Sequence, residues 1–391
     1  MYTEINSRQV VLYISTGLST GGAERMLYNL LSKTNRLRFE PIVLSLLDRG
    51  TWGDRIEALG VPVYTIDMKR GRPTTTAFWR LTQIVRQIEP DLIQGWMYHG
   101  NLAAQIATVF HPKRIPVLWS IHNSADLLVS ENKMTEAVIK LGAWISKYPA
   151  KVAFVSRTSK LQHEGLGYFS ANGCLIPNGF DTSVFTPSTE AKLSVRSELG
   201  LSNNIFLIGL ICRYHPMKDH ANFLQAAALL IKDYPNVHFI LAGTEVKKEN
   251  PNLQNVIKHL EICARIHLLG ERRDIPRLTA ALDISVSASA YGEAFPMIVG
   301  EAMSCGVPCV VTDVGDSGWI VGNTGIVVPP KNPEALANAW KELIELGSEG
   351  RETLGKAARQ RVIENFSLDS VVKQYEKLYE DVQLKKLKQR D

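Results

Sequence analysis

With 391 residues and 45% apolar side chains, the chain can bury two ordinary cores, since single domains run to about 100–200 residues. No window approaches the ~18 uninterrupted apolar residues of a membrane-spanning helix, and Met1 to Gln9 followed by Val10–Ile14 lacks the layout of a secretory signal. A cytoplasmic location is expected, and the net charge of +5 comes with no expectation of a nucleic-acid partner.

Taken in chain order, short aliphatic and β-branched runs alternate with longer segments of helical period, the sequence signature of parallel sheets covered by helices. The front half offers strands at Val10–Ile14, Ile42–Leu47, Val63–Ile66, Leu92–Gln94, Val117–Ile121 and Val152–Val155. The back half repeats the pattern at Phe206–Ile211, Val237–Ala242, Ile266–Leu269, Ile284–Ser287, Cys309–Thr312 and Gly325–Val328. Two doubly wound α/β domains follow: residues 1–180, a linker at 181–190, residues 191–366, and a last helix at 367–391 returning to the first domain. The joint near Pro177-Asn178-Gly179 is rich in turn formers, and Asn178-Gly179 favours a positive φ. Ligands of such sheets collect outside the carboxyl ends of the strands, so two facing sheets predict a cleft where chemistry takes place.

Charge is uneven. Residues 1–185 carry 20 Lys and Arg against 14 Asp and Glu, while the remainder is balanced at 24 against 25. The excess gathers at Lys69, Arg70 and Arg72 near Phe78, Trp79 and Arg80, and at Lys133, Lys140, Lys147 and Lys151 around Trp144 and Tyr148. Basic residues interleaved with aromatics suit an anionic lipid surface or a phosphate-bearing acceptor, and equally a solvated face. The tail Lys385–Arg390 adds charge of the same sign, as a frayed terminus also would. The five cysteines are scattered and read as reduced thiols, because Cys305 and Cys309 lack the second ligand pair of a zinc site.

Three stretches carry chemistry. The first is Ser15–Arg25, where Gly21-Gly22 leaves a strand and opens a helix. Adjacent glycines admit close approach of a ligand and the helix start offers N–H groups to an anion, although neither a Walker loop nor a dinucleotide fingerprint is present. The second is Arg213–His220, directly after a buried strand. Arg213 and Lys218 there suit a diphosphate, one as a planar fork and one as a point charge, whereas His215 and His220 have no third metal ligand. The third is Gly292–Pro308. Pro296 suits the first turn of a helix that Gly306 ends, Glu293 stands at its entrance, Glu301 about two turns farther in, and the N–H groups around Ala294–Met297 face a ligand's polar end.

At these residues the chain strongly resembles glycosyltransferase family 4, whose members have the GT-B fold and a Glu, seven residues, Glu motif in the C-terminal domain. The resemblance runs from Gly21 through Asn178-Gly179 and Arg213/Lys218 to Phe366-Ser367. It implies a retaining sugar transfer from a nucleoside diphosphate sugar, with Arg213 and Lys218 gripping the diphosphate together with Gly21 and Gly22. It further implies that Glu301 binds the ribose, that Glu293 and the backbone at Ala294, Phe295 and Pro296 touch the sugar, and that Arg273, in Gly270–Asp274, lies in the loop against the base. His99 aligns with a histidine beside the sugar, although Gln94 and Trp96 stand where many members have His-x-His. No Asp-x-Asp pair occurs, so metal-independent transfer is expected, with a saccharide or lipid-linked acceptor at the inner membrane surface and a place in lipopolysaccharide, capsule or similar synthesis. A nucleotide-sugar epimerase and a silent binding module are the alternatives. A dehydrogenase would need a dinucleotide fingerprint, and none follows any strand.

Overall fold

The computed structural model describes residues 8–19, 21–69, 71, 74–109, 111–125 and 133–388. Arg70, Arg72 and, in the basic tail, the side chains from 386 to Arg390 lie outside the described residues. The chain divides into two compact units, Met1–Gly179 with Leu368–Asp391, and Phe180–Ser367.

The first unit holds seven parallel strands: β1 Gln9–Ser15, β2 Phe39–Ser45, β3 Val63–Thr65, β4 Leu92–Trp96, β5 Val117–Ile121, β6 Lys151–Phe154 and β7 Gly173–Leu175, in the order β3-β2-β1-β4-β5-β6-β7. The order reverses between β1 and β4, where Ser15 is in register with Trp96. Strands β4 and β5 are buried along their whole length, as expected where helices cover both faces of a sheet. The last helix, Leu368–Lys388, packs Val371, Tyr375 and Tyr379 against Tyr13, Phe39 and Trp96, and the Tyr13 and Tyr379 hydroxyls lie 3.0 Å apart.

The second unit holds β8 Phe206–Ile211, β9 Val237–Ala242, β10 Ile266–Leu268, β11 Ile284–Ser287, β12 Cys309–Thr312 and β13 Gly325–Val328, all parallel, in the order β10-β9-β8-β11-β12-β13. Its order reverses between β8 and β11. On one face, Phe223, Phe239 and Trp340 form the aromatic centre of the core.

Three sequence expectations need correction. Strand β2 starts at Phe39 and includes Pro41, because β3 pairs only from Val43 onward and the missing proline N–H meets no neighbour. Neither Asn178 nor Gly179 has a positive φ. Gly179 instead lies so close to the last helix that a Cβ would come within 2.8 Å of the Leu368 backbone. Pro296 caps its helix, Met297–Ser304, from just outside its first turn.

Candidate functional site

In the second unit the candidate residues gather at the strand-order reversal. Beyond β8 the chain makes a tight turn at Pro216–Lys218, in which the His215 imidazole accepts from the Met217 N–H at 3.2 Å. Asp219, at φ 47°, then caps the helix His220–Asp233. The turn is tied to the end of β11 by the Ala290 N–H, which donates to the Met217 carbonyl at 2.8 Å. This link sets the Lys218 ammonium against the Glu293 carboxylate, and the two form an ion pair. The Ser289 hydroxyl donates to the same carboxylate oxygen at 2.7 Å, and Thr312 Oγ1 holds the Ser289 carbonyl at 2.7 Å.

The loop that carries Glu293 is fixed from behind. Gly315, at φ 60°, packs so tightly that a Cβ would lie 2.1 Å from the Glu293 carbonyl oxygen. The Asp316 N–H donates to the Ala294 carbonyl at 3.1 Å. The Phe295 ring stacks on Phe180 and meets Trp319 and Phe366 edge-on. The side chain of Phe295 is therefore an anchor, and the backbone of Ala294, Phe295 and Pro296 is what the loop has left to offer a ligand.

Burial alone would push the Glu293 carboxyl upward, but Lys218, the two hydrogen bonds and Arg213 hold it below the usual carboxylate range. Burial likewise opposes the charge of Lys218, and the attraction of Glu293 exceeds it, so the ammonium is raised above its ordinary value. Both groups are ionised at neutral pH. Arg213 is exposed and makes no salt bridge among the described residues. Glu301 is buried in the second turn of the helix Met297–Ser304, on the Cys305 side, where it adds to the burial that pushes that thiol up to about 12. Arg273 is exposed on the loop after β10, whereas its neighbour Arg272 is held by Glu198 at 2.7 Å and Asp274 at 2.8 Å.

In the first unit, the order reversal places the ends of β1, β4 and β5 side by side. Gly21 is the extended cap of the helix Gly22–Lys33, and the Trp96 indole at the end of β4 donates to the Ala23 carbonyl at 2.9 Å. Strand β4 runs straight into the helix Met97–Val109 through Met97, a non-glycine residue at φ 67°, a conformation that persists only where the surroundings enforce it. His99 is half-buried in the first turn of that helix.

One residue beyond β5 stands His122, which the sequence reading missed. Its ring packs on Trp96 at 4.3 Å, it is buried, and neither nitrogen has a well-formed hydrogen bond among the described residues. Burial pushes its pKa down to about 3, an effect that the side chain of nearby Asn178 only partly offsets. The Asn178 Oδ1 is likewise buried with no well-formed hydrogen bond among the described residues. Unpaired buried polar atoms are costly, and at the carboxyl end of a central strand they mark a place for a ligand's polar groups. The signal was present in the sequence as a histidine directly after the strand Val117–Ile121.

Two doubly wound parallel sheets in one chain, each with its candidate residues at the strand-order reversal, define the GT-B fold class. Residues 193–361 match the family described as glycosyl transferases group 1, and residues 20–184 match glycosyltransferase family 4. The chain belongs to this family. It is 27% identical over 216 residues to the UDP-Gal:α-D-GlcNAc-diphosphoundecaprenol α-1,3-galactosyltransferase of Escherichia coli, a match that covers 54% of this chain and spans only about half, 55%, of that protein. It is 24% identical to the N-acetyl-α-D-glucosaminyl L-malate synthase of Bacillus anthracis over 72% of either chain. The crystal structure of Anabaena Alr3699/HepE in complex with UDP has the same fold, with a TM-score of 0.83 at 23% identity over 95% of this chain and all of that one.

Proposed function

We propose that this group 1 glycosyltransferase moves a sugar from a nucleoside diphosphate donor to a lipid-linked saccharide, with retention of anomeric configuration, in the assembly of a cell-surface polysaccharide. The observation that carries this reading is the buried Lys218–Glu293 pair, bonded by Ser289 and accompanied by exposed Arg213, at the order reversal of the second sheet. The name of the Escherichia coli relative supports a diphosphate-linked lipid acceptor, and the UDP bound by Anabaena HepE supports a nucleotide donor.

Arg213 and Lys218 carry the charge that develops as the bond from the anomeric carbon to the diphosphate breaks. Preorganised cations there stabilise the leaving group without reorganisation, and the backbone N–H groups of Gly21 and Gly22 are further candidate donors to the diphosphate. Glu293, ionised and held by Ser289, orients the sugar hydroxyls, and Glu301 binds the ribose. The acceptor oxygen attacks on the face the diphosphate leaves, and its proton passes to the departing phosphate oxygen. His122, neutral at physiological pH, joins His99 as a hydrogen-bonding group for the sugar. In this scheme residues 1–180 with 367–391 receive the acceptor and residues 191–366 hold the donor.

Among the described residues no helix is long and apolar enough to cross a membrane. In this reading the chain meets its lipid-linked acceptor at the cytoplasmic membrane face by peripheral contact. The test is a thermal-shift panel of UDP, GDP, ADP and their sugar conjugates on the wild type and Glu301→Ala. One nucleotide should raise the melting point of the wild type and raise that of the variant less. No shift with any nucleotide, together with no donor hydrolysis, would overturn the proposal.

A further inference from the structure

We infer that the outward face of the helix Lys133–Ile145, continued through Tyr148, is a docking surface for an anionic lipid bilayer; this rests on the lipid-linked acceptor proposed above. Exposed residues recur at 133, 134, 137, 140, 141 and 144, then at 147 and 148, one stripe of helical period. The solvent stripe of a surface helix is ordinarily polar. Here it presents Met134, Leu141, Trp144 at 71% exposure and Tyr148 at 60%. Phe169, also exposed, joins them, since its N–H donates to Ser146 Oγ at 2.8 Å. The turn beyond the helix is held firm by the Asn172 amide, which donates to the Lys147 and Pro149 carbonyls at 3.1 and 2.9 Å.

The charges on this face select the occupant. Lys133, Lys140 and Lys147 punctuate the apolar stripe, and the single acid of the helix, Glu136, is already paired with Lys140 at 2.6 Å. Aromatic and aliphatic side chains set among lysines on one helical face are the composition of a segment lying in the headgroup layer of an anionic membrane. A second copy of the chain would set these lysines against their own equivalents across a two-fold axis, and protein interfaces are depleted in lysine. The placement also serves the reaction. Because β5 and β6 are parallel, the helix between them runs back from the carboxyl edge of the sheet. Its Lys133 end therefore lies at the edge where Gly21, His99 and His122 gather, and a bilayer along the helix would present a lipid-linked acceptor there.

The test is co-sedimentation of the full chain with vesicles of phosphatidylcholine alone and of phosphatidylcholine mixed with phosphatidylglycerol, at low and high salt. Binding is expected only to the mixed vesicles, with release by salt. Trp144→Ser with Tyr148→Ser, and separately Lys140→Gln with Lys147→Gln, should each weaken it by about tenfold or more. Brominated lipid should quench tryptophan emission of the wild type, and Trp144→Phe, which preserves packing, should remove that quenching. Failure to bind anionic vesicles, or binding that both double variants retain at the wild-type level, would overturn the proposal. So would loss of a dimer, in place of loss of vesicle binding, in the serine variant. All variants should keep the wild-type nucleotide-induced melting shift without vesicles, so the docking surface can fail while the donor site stands.

Discussion

Lys218 and Glu293 lie 75 residues apart in sequence, and the end of β8 and the end of β11 bring them into a buried ion pair. Such a pair is weak evidence of stabilisation, because desolvating two charges consumes most of the Coulombic gain. Its presence at the strand-order reversal is better explained by a ligand that uses both charges.

The pair and its exposed companion separate stability from turnover. Lys218→Ala strands a buried carboxylate, which should cost about 3–5 kcal/mol in stability as well as lowering turnover. Arg213→Ala, at an exposed side chain with no salt bridge among the described residues, should melt like the wild type and still lose on the order of a hundredfold in kcat. Melting curves and initial rates on both variants check this. Wild-type turnover in both would remove the leaving-group role.

The backing of the Glu293 loop gives a second test. At Gly315 a side chain meets both the left-handed backbone and the Glu293 carbonyl, 2.1 Å from where its Cβ would sit. Gly315→Ala should therefore displace the loop, lower stability by roughly 1–3 kcal/mol and depress kcat. Gly347, at φ 75° with nothing within 4 Å of its Cβ position, is the control. Gly347→Ala carries the left-handed penalty alone and should leave kcat unchanged.

What the sequence disclosed divides along physical lines. Strands that are apolar or nearly so, such as Val117–Ile121 with its one serine and Phe206–Ile211, were legible to the residue, because a parallel strand covered on both faces carries few polar interruptions. Strand β7, Gly173–Leu175, is three half-buried residues long and gives no periodic signal. Motif spacing likewise placed Arg213 and Lys218 just beyond a strand and Glu293 at a helix entrance, where the structure has them. Ser289 and His122 were missed for a different reason. Ser289 lies four residues before Glu293 in an irregular loop, where no period shows that the two side chains meet, and β4 brings Trp96 beside His122, a proximity that one-dimensional spacing does not contain. The sequence marked Asn178 as a turn residue, which the structure does not bear out, and only its place beside His122 singles out its side chain.

Metal dependence is a third measurement. If the two cations carry the leaving-group charge, EDTA should leave the initial rate within about twofold of the untreated enzyme. A complete loss that Mn²⁺ restores would assign that charge to a metal ion and take the role from Arg213 and Lys218.

Acid should weaken the fold through its buried neutral histidines. Burial pushes His122 down to about 3, and His163 and His220 to about 4. Each stays unprotonated in the folded chain, while in the unfolded chain it takes up a proton near its ordinary value of about 6.5. Between those values the unfolded state binds more protons, so stability rises with pH, and it falls as pH drops from 7 toward 5. The loss at pH 5 should be on the order of 2 kcal/mol for each histidine. Urea unfolding at pH 7 and pH 5 measures the sum, and the same pair of titrations on His122→Asn isolates one term. The variant should lose less on acidification than the wild type, by up to about 2 kcal/mol, and its kcat should fall at both pH values because the sugar contact is gone. An unchanged pH response would mean that the folded chain protonates His122 near its ordinary pKa, and the neutral hydrogen-bonding role proposed for it would go.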